Sequence, residues 1–181
     1  MKKSASLALL VLAAAALWAQ SAAPLTDDQK AKVAAYLKQF SALGADPVVV
    51  KAVRDYNANH YPEAAGMTQE KWDSLSALSP EVRAFAKNSL ADYLRTKKQD
   101  VIAELFVSGA DGTKVAFFGK TTSWNHTGKP KHDMPMSGKT WTGAPELDAS
   151  SGKVSVQVSF PVLDGGKPIG SIVIGLEISK L

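Results

Sequence analysis

GKVSVQVSFPVLDGGKPIGSIVIGLEISKL, residues 152–181, alternates apolar and small polar side chains on both sides of a glycine pair. Val154, Val156, Val158, Phe160 and Val162 interleave with Ser155, Gln157 and Ser159, the period-two pattern of a strand with one buried and one wetter face. On the return, Ile172, Ile174, Leu176 and Ile178 repeat the pattern. Residues opposite one another on paired strands share a face, so the two apolar rows coincide only if an odd number of residues connects them. Asp164-Gly165-Gly166 supplies a three-residue loop, and Gly166 suits the left-handed position that closes it. A hairpin this apolar is expected at the centre of a sheet.

Upstream, Leu105 and Val107 alternate toward Ala110-Asp111-Gly112, and Val115 and Phe117 alternate away from it. The same parity predicts a second hairpin over 101–119, again with a three-residue loop ending in glycine. Before it the period is helical. Thr26-Asp27-Asp28-Gln29 is a capping box followed by Val33, Leu37 and Phe40, and Asp46-Pro47 starts a second helix carrying Val49, Val53 and Tyr56. Thr68 caps a short piece with Trp72, and Ser79-Pro80-Glu81 opens a helix expected to run to Lys97 or Lys98. Helices first and antiparallel strands after predict an α+β domain, residues 26–181, with helices over 26–98 packed on a central antiparallel sheet over 100–181.

Lys2 and Lys3 precede an apolar run from Leu7 to Ala19, shorter than the roughly 20 residues of a membrane helix, so residues 1–23 read as a secretory signal peptide cut between Ala19 and Ala23. The mature chain is expected in the periplasm or secreted. The sequence has no Cys, which excludes a disulfide framework, a thiolate metal site, cysteine catalysis and a lipoprotein processed at cysteine. Without the leader, 19 basic and 17 acidic residues remain, a net charge of +2 that gives no argument for nucleic acid.

Lys120–Gly143, KTTSWNHTGKPKHDMPMSGKTWTG, is too long for a passive connection and holds two of the 3 His and two of the 4 Trp. Aromatic walls with a few polar heads describe a small-molecule pocket; a solvated, lysine-bearing loop is the other reading. Lys120, Trp124, Asn125, His126, His132 and Trp141 are the candidate ligand-binding residues, with core packing the alternative for both tryptophans. His126, His132 and Asp133 are not spaced as any standard metal site, so neither a metal nor a cofactor is expected. No G-x-S-x-G elbow, phosphate loop, H-E-x-x-H or dinucleotide fingerprint is present, and no catalytic residue is assigned.

NSLADYLR, VIAELFVSGADGTKVAFFGKTTSW and the closing hairpin, taken in that order, resemble the extracytoplasmic Cache (PDC) sensor domains of bacterial receptors. The resemblance is good over 88–124 and 153–181 and weak over 26–79. It implies a PAS-like fold whose sheet and long loops hold a small ligand. Two departures stand out. Where the family continues into an acidic, doubly aromatic stretch, this chain has Ser123-Trp124-Asn125-His126 and then basic residues. In receptors the last strand feeds a membrane helix and an output module, whereas here the sequence ends at Leu181.

The resemblance therefore implies a stand-alone single Cache domain that binds a small solute and signals through a periplasmic or membrane receptor partner. A PAS-like dimerisation module without ligand, and an enzyme, are the alternatives. Lys120, Lys129, Lys131, Lys139, His126 and His132 against Asp133 point to an anion, a carboxylate or an amino acid held by its carboxylate. Trp124 is then expected to wall the pocket, with Asn125 and His126 as hydrogen-bond donors and one lysine paired with the anion.

Overall fold

The computed structural model describes residues 23–148 and 152–181; the predicted leader, apart from Ala23, lies outside them. Helix α1 (Asp27–Ser41) starts at the expected capping box: Thr26 Oγ1 accepts from the Gln29 amide at 3.2 Å, and the Gln29 side chain accepts from the Thr26 amide at 3.0 Å. Asp46 caps α2 (Pro47–Ala58) by accepting from the Val48 amide at 2.9 Å, and Thr68 caps α3 (Gln69–Ser74). The single helix expected after Ser79 is two, α4 (Pro80–Ala86) and α5 (Ser89–Arg95). Asn88 breaks it: its side chain accepts from the Ala91 amide at 2.9 Å and donates to the Val115 carbonyl at 2.8 Å, so the new cap also docks the helix on a strand.

Five antiparallel strands follow, in the order β2-β1-β5-β4-β3, with β1 Ile102–Gly109, β2 Lys114–Phe117, β3 Trp141–Asp148, β4 Lys153–Asp164 and β5 Lys167–Glu177. The terminal hairpin is central, as its apolar rows require. Val158 faces Ile174 and Phe160 faces Ile172, but by a different device from the one expected. Asp164 pairs with Lys167, leaving a two-residue turn in which Gly165 and Gly166 have φ of 57° and 84°, the primed geometry that matches strand twist. The pairing then shifts between Val162, opposite Gly170, and Leu163, opposite Pro168. A bulge at Ile169 thus supplies the odd residue.

The first hairpin does have the three-residue loop. Gly109 donates to Thr113 at 3.0 Å, and Gly112 has φ of 79°. A shift between Val107 and Ser108 then sets Val107 opposite Ala116 and Phe106 opposite Phe117, one residue away from the register that alternation predicts.

Leu105, Val107, Val156, Val158, Phe160, Ile172 and Ile174 turn toward α1 and α2 and are buried with Val49, Val53 and Tyr56. Each such side chain contributes about 1.5–3 kcal/mol by leaving water. Close approach demands glycine at two points: a Cβ on Gly44 would lie 2.1 Å from the Pro161 carbonyl oxygen, and one on Gly170 would lie 2.4 Å from that of Ser108. The opposite face carries Ser108, Ser155, Gln157, Ser159 and Ser171. Alternation alone makes this the wet face; instead the segment 118–140 lies over it, and all four serines are buried. That segment contains a helix, α6 (Pro130–Met136), and β3 follows it, so the long segment from Lys120 carries regular structure of its own.

Candidate functional site

The site lies between the polar face and its cover. Glu104 on β1 and Gln157 on β4 both sit opposite Gly175 of the intervening β5. Because Gly175 has no side chain, the two meet above it, Gln157 Nε2 donating to Glu104 Oε2 at 2.7 Å. Gln157 Oε1 in turn accepts from Lys131 Nζ, on α6. A shallow polar floor is thereby tied to the helix above.

Around this floor is a cavity of about 420 Å³, within the range of small-molecule sites. Phe106, Ser155 and Gln157 form its base, Lys129 and Lys131 one wall, and Trp141 and Glu146 of β3 the edge-strand side. The Trp141 indole folds back over Gly143, where a Cβ would stand 2.6 Å from the ring. Gly143 and Pro145 argue against a strand in the sequence; β3 tolerates both because it is an edge and its pairing is interrupted between Thr142 and Pro145.

His126 closes the cavity at the β1–β2 end. Its backbone amide donates to the Gly112 carbonyl at 3.0 Å, and its ring lies on Phe106 with centroids 4.7 Å apart. Nδ1 is in contact with Nζ of Lys114, a lysine of 0% exposure. Burial pushes the Lys114 ammonium well below the ordinary lysine range, against the pull of the Glu104 carboxylate. Burial, and after it the charge of Lys114, drives His126 far below an ordinary imidazole. His132 is lowered as well, again chiefly by burial. Its Nδ1 bonds Ser171 Oγ at 2.8 Å, so it anchors α6 to β5.

Of the residues expected to bind ligand, the cavity gathers His126 and Trp141. Trp124, expected as a wall, is instead core: it is 4% exposed, with Trp72 and Phe85 at centroid distances of 5.2 Å each. Lys120 lies over the Trp72 ring at 5.0 Å and does not line the cavity. Asn125 is spent on the loop, donating to the Asp111 carbonyl at 3.0 Å and accepting from the Thr127 amide at 2.7 Å. His132 lies behind the wall as the anchor of α6. The residues missed are Glu104, Lys114, Ser155 and Gln157, all from strands; a buried acid and a buried lysine inside otherwise apolar strands are the signal that marked two of them.

Among the described residues no group of three or more His, Cys, Asp or Glu side chains is placed to hold a metal ion, and no helix is long and apolar enough to cross a membrane.

No family model and no curated protein matches the sequence. Solved structures match its fold. The sensor domain of the V. cholerae histidine kinase DctB aligns over 84% of this chain at 15% identity and a TM-score of 0.50. This chain covers 53% of that one, so it spans about half its length. The E. coli DcuS sensor domain aligns over 85% of this chain and 95% of its own, with 14% identity and a TM-score of 0.48. The ligand-binding domain of the Pseudomonas fluorescens chemoreceptor CtaA, solved with L-alanine, aligns over 83% of this chain and 56% of its own, with 12% identity and a TM-score of 0.41. The fold is that of the Cache (PDC) extracytoplasmic sensor domains, as the sequence motifs implied.

Proposed function

We propose that the protein is a secreted or periplasmic Cache-type sensor that binds a small carboxylate-bearing solute between the polar sheet face and the α6 cover, and reports it through a partner receptor. One observation carries the reading: a covered cavity whose wall presents Lys129, Lys131 and His126 opposite Glu104 and Glu146. Glu104 and His126 are buried, Lys129 and Lys131 half-buried and Glu146 exposed, so polar groups of both signs line the cavity, which a passive connection does not require. The two acids, which come from strands, alter the charge balance read from Lys120–Gly143 alone. With both signs present, the cavity favours a ligand having a carboxylate and a hydrogen-bond donor, such as an amino acid, over a simple anion.

A thermal-shift screen of carboxylates, amino acids, amines and neutral sugars tests this, since a ligand that binds only the native state raises the melting temperature. The expected result is stabilisation by carboxylate-bearing solutes that is lost in Trp141→Ala. Stabilisation by amines or sugars alone would overturn the ligand class. No response to any class, together with a concentration-dependent dimer, would favour an interaction module.

A further inference from the structure

Among the described residues Lys114 is the only buried lysine or arginine. It lies on β2, and Nζ sits 4.5 Å from the centre of the ring of Phe106, which lines the cavity. Among those residues its one hydrogen-bond partner is Nδ1 of His126. With Nδ1 engaged, Nε2 is the His126 nitrogen left for the cavity that the ring lines. The charged groups around the pair come from every neighbouring element: Glu104 from β1, Asp111 from the first turn, Lys129 at the start of α6, and Lys131 and His132 within it. Glu146 of β3 borders the same cavity.

We infer that Lys114 and His126 work as one proton-binding anchor: the anionic group of the ligand docks at His126 Nε2, and the pair takes up a proton as it does so. The inference rests on the reading of the cavity as a carboxylate site. In the free protein, burial and the neighbouring lysines disfavour a proton on the pair. An anion at Nε2 reverses that balance, because an opposite charge in a desolvated site stabilises the charged form. Once protonated, Lys114 donates to Nδ1 and holds His126 in the tautomer whose Nε2–H points at the anion. The linkage has a definite sign. Since the anion raises the proton affinity of the pair, the proton raises the affinity for the anion, and binding weakens as pH rises through the range in which the liganded pair loses its proton. The domain then reports solute and acidity together.

Calorimetric titration of the mature protein with sodium acetate, sodium succinate and L-alanine, at several pH values between 6 and 8 and in two buffers of different ionisation heat, reads the protons directly. Net uptake on binding and an affinity that falls roughly tenfold per pH unit at the steepest point are expected. Lys114→Met, an unbranched apolar replacement, should abolish the uptake and flatten the pH dependence. Carboxylates that bind with no proton uptake, or with the same uptake in Lys114→Met, would overturn the inference and leave the site standing. If none of the carboxylates binds, the reading of the site falls and the inference with it. A ligand-free arm stands alone: nitrogen-labelled histidine spectra should show His126 neutral down to pH 5, and a His126 that titrates as an ordinary imidazole also overturns it.

Discussion

Glu104 and Gln157 belong to strands that are not neighbours, yet Gln157 Nε2 donates to Glu104 Oε2 at 2.7 Å across the bare backbone of Gly175. The missing side chain is what makes the floor of the cavity. A Cβ on Gly175 would lie 3.2 Å from Glu104 Cβ and 3.5 Å from Ser155 Oγ, contacts that small shifts relieve. Gly175→Ala should therefore change stability by no more than about 1 kcal/mol, because the strand loses an entropic liability while gaining a close contact. Gly175→Val fills the gap and separates the pair. Its expected outcome is loss of ligand-induced thermal shift in a folded protein, checked by melting with and without solute.

Gly112 and Gly166 share the left-handed backbone, with φ of 79° and 84°, but not their surroundings. A Cβ on Gly166 would have nothing within 4 Å, whereas one on Gly112 would lie 2.6 Å from Asn125 Oδ1, from the Thr127 nitrogen and from Thr127 Oγ1. Gly166→Ala is expected to cost about 1 kcal/mol, the conformational term alone. Gly112→Ala should cost at least about 1 kcal/mol more, since it also displaces the loop that leads to His126. Urea denaturation of the two variants checks the difference.

These glycines also mark what was legible. Turn chemistry and alternation located both hairpins, because Gly and β-branched residues act locally. Bulges do not. The shifts at Val107/Ser108 and Val162/Leu163 are properties of the paired ladder, and alternation along a single strand does not announce them. Helix α6 was hidden for a related reason: a seven-residue stretch with Pro130 at its start and Pro135 inside it shows no helical periodicity, and it stands because His132 and Pro135 are buried against the sheet. The site was half legible. The long segment over the sheet was visible as a functional stretch, but the floor comes from polar positions in strands whose exposure depends on whether something covers them. Trp124 carries no local sign of which wall it belongs to.

The two tryptophans separate these roles. Trp124 packs on Trp72 and Phe85, so Trp124→Ala should destabilise by about 3–5 kcal/mol, with or without solute. Trp141 is half-buried at the cavity's edge, and Trp141→Ala should cost far less stability while removing the ligand response. Equal thermal losses in the two variants would contradict this division.

Stability should rise with pH in two ranges, set by groups whose charged forms burial disfavours. His126 and His132 are both lowered by burial, so between about 6.5, the unfolded imidazole value, and their folded values the unfolded chain binds more protons. The contribution is present above that window and is lost as pH falls through it. Lys114 acts in the same direction at higher pH. Its folded proton affinity lies well below the ordinary one, so stability continues to rise toward about 10.4, where the unfolded lysine also loses its proton. Melting temperatures should therefore climb from pH 5 to 9 in ligand-free protein. His132→Gln should flatten the lower part of the curve whatever its effect on absolute stability. Lys114→Met should flatten the upper part and raise the melting temperature at pH 7, because it removes a buried amine that the fold disfavours in its charged form. A wild-type curve that is level or falling above pH 6.5, or a Lys114→Met protein that melts lower, would mean that Lys114 is held in its charged form within the fold.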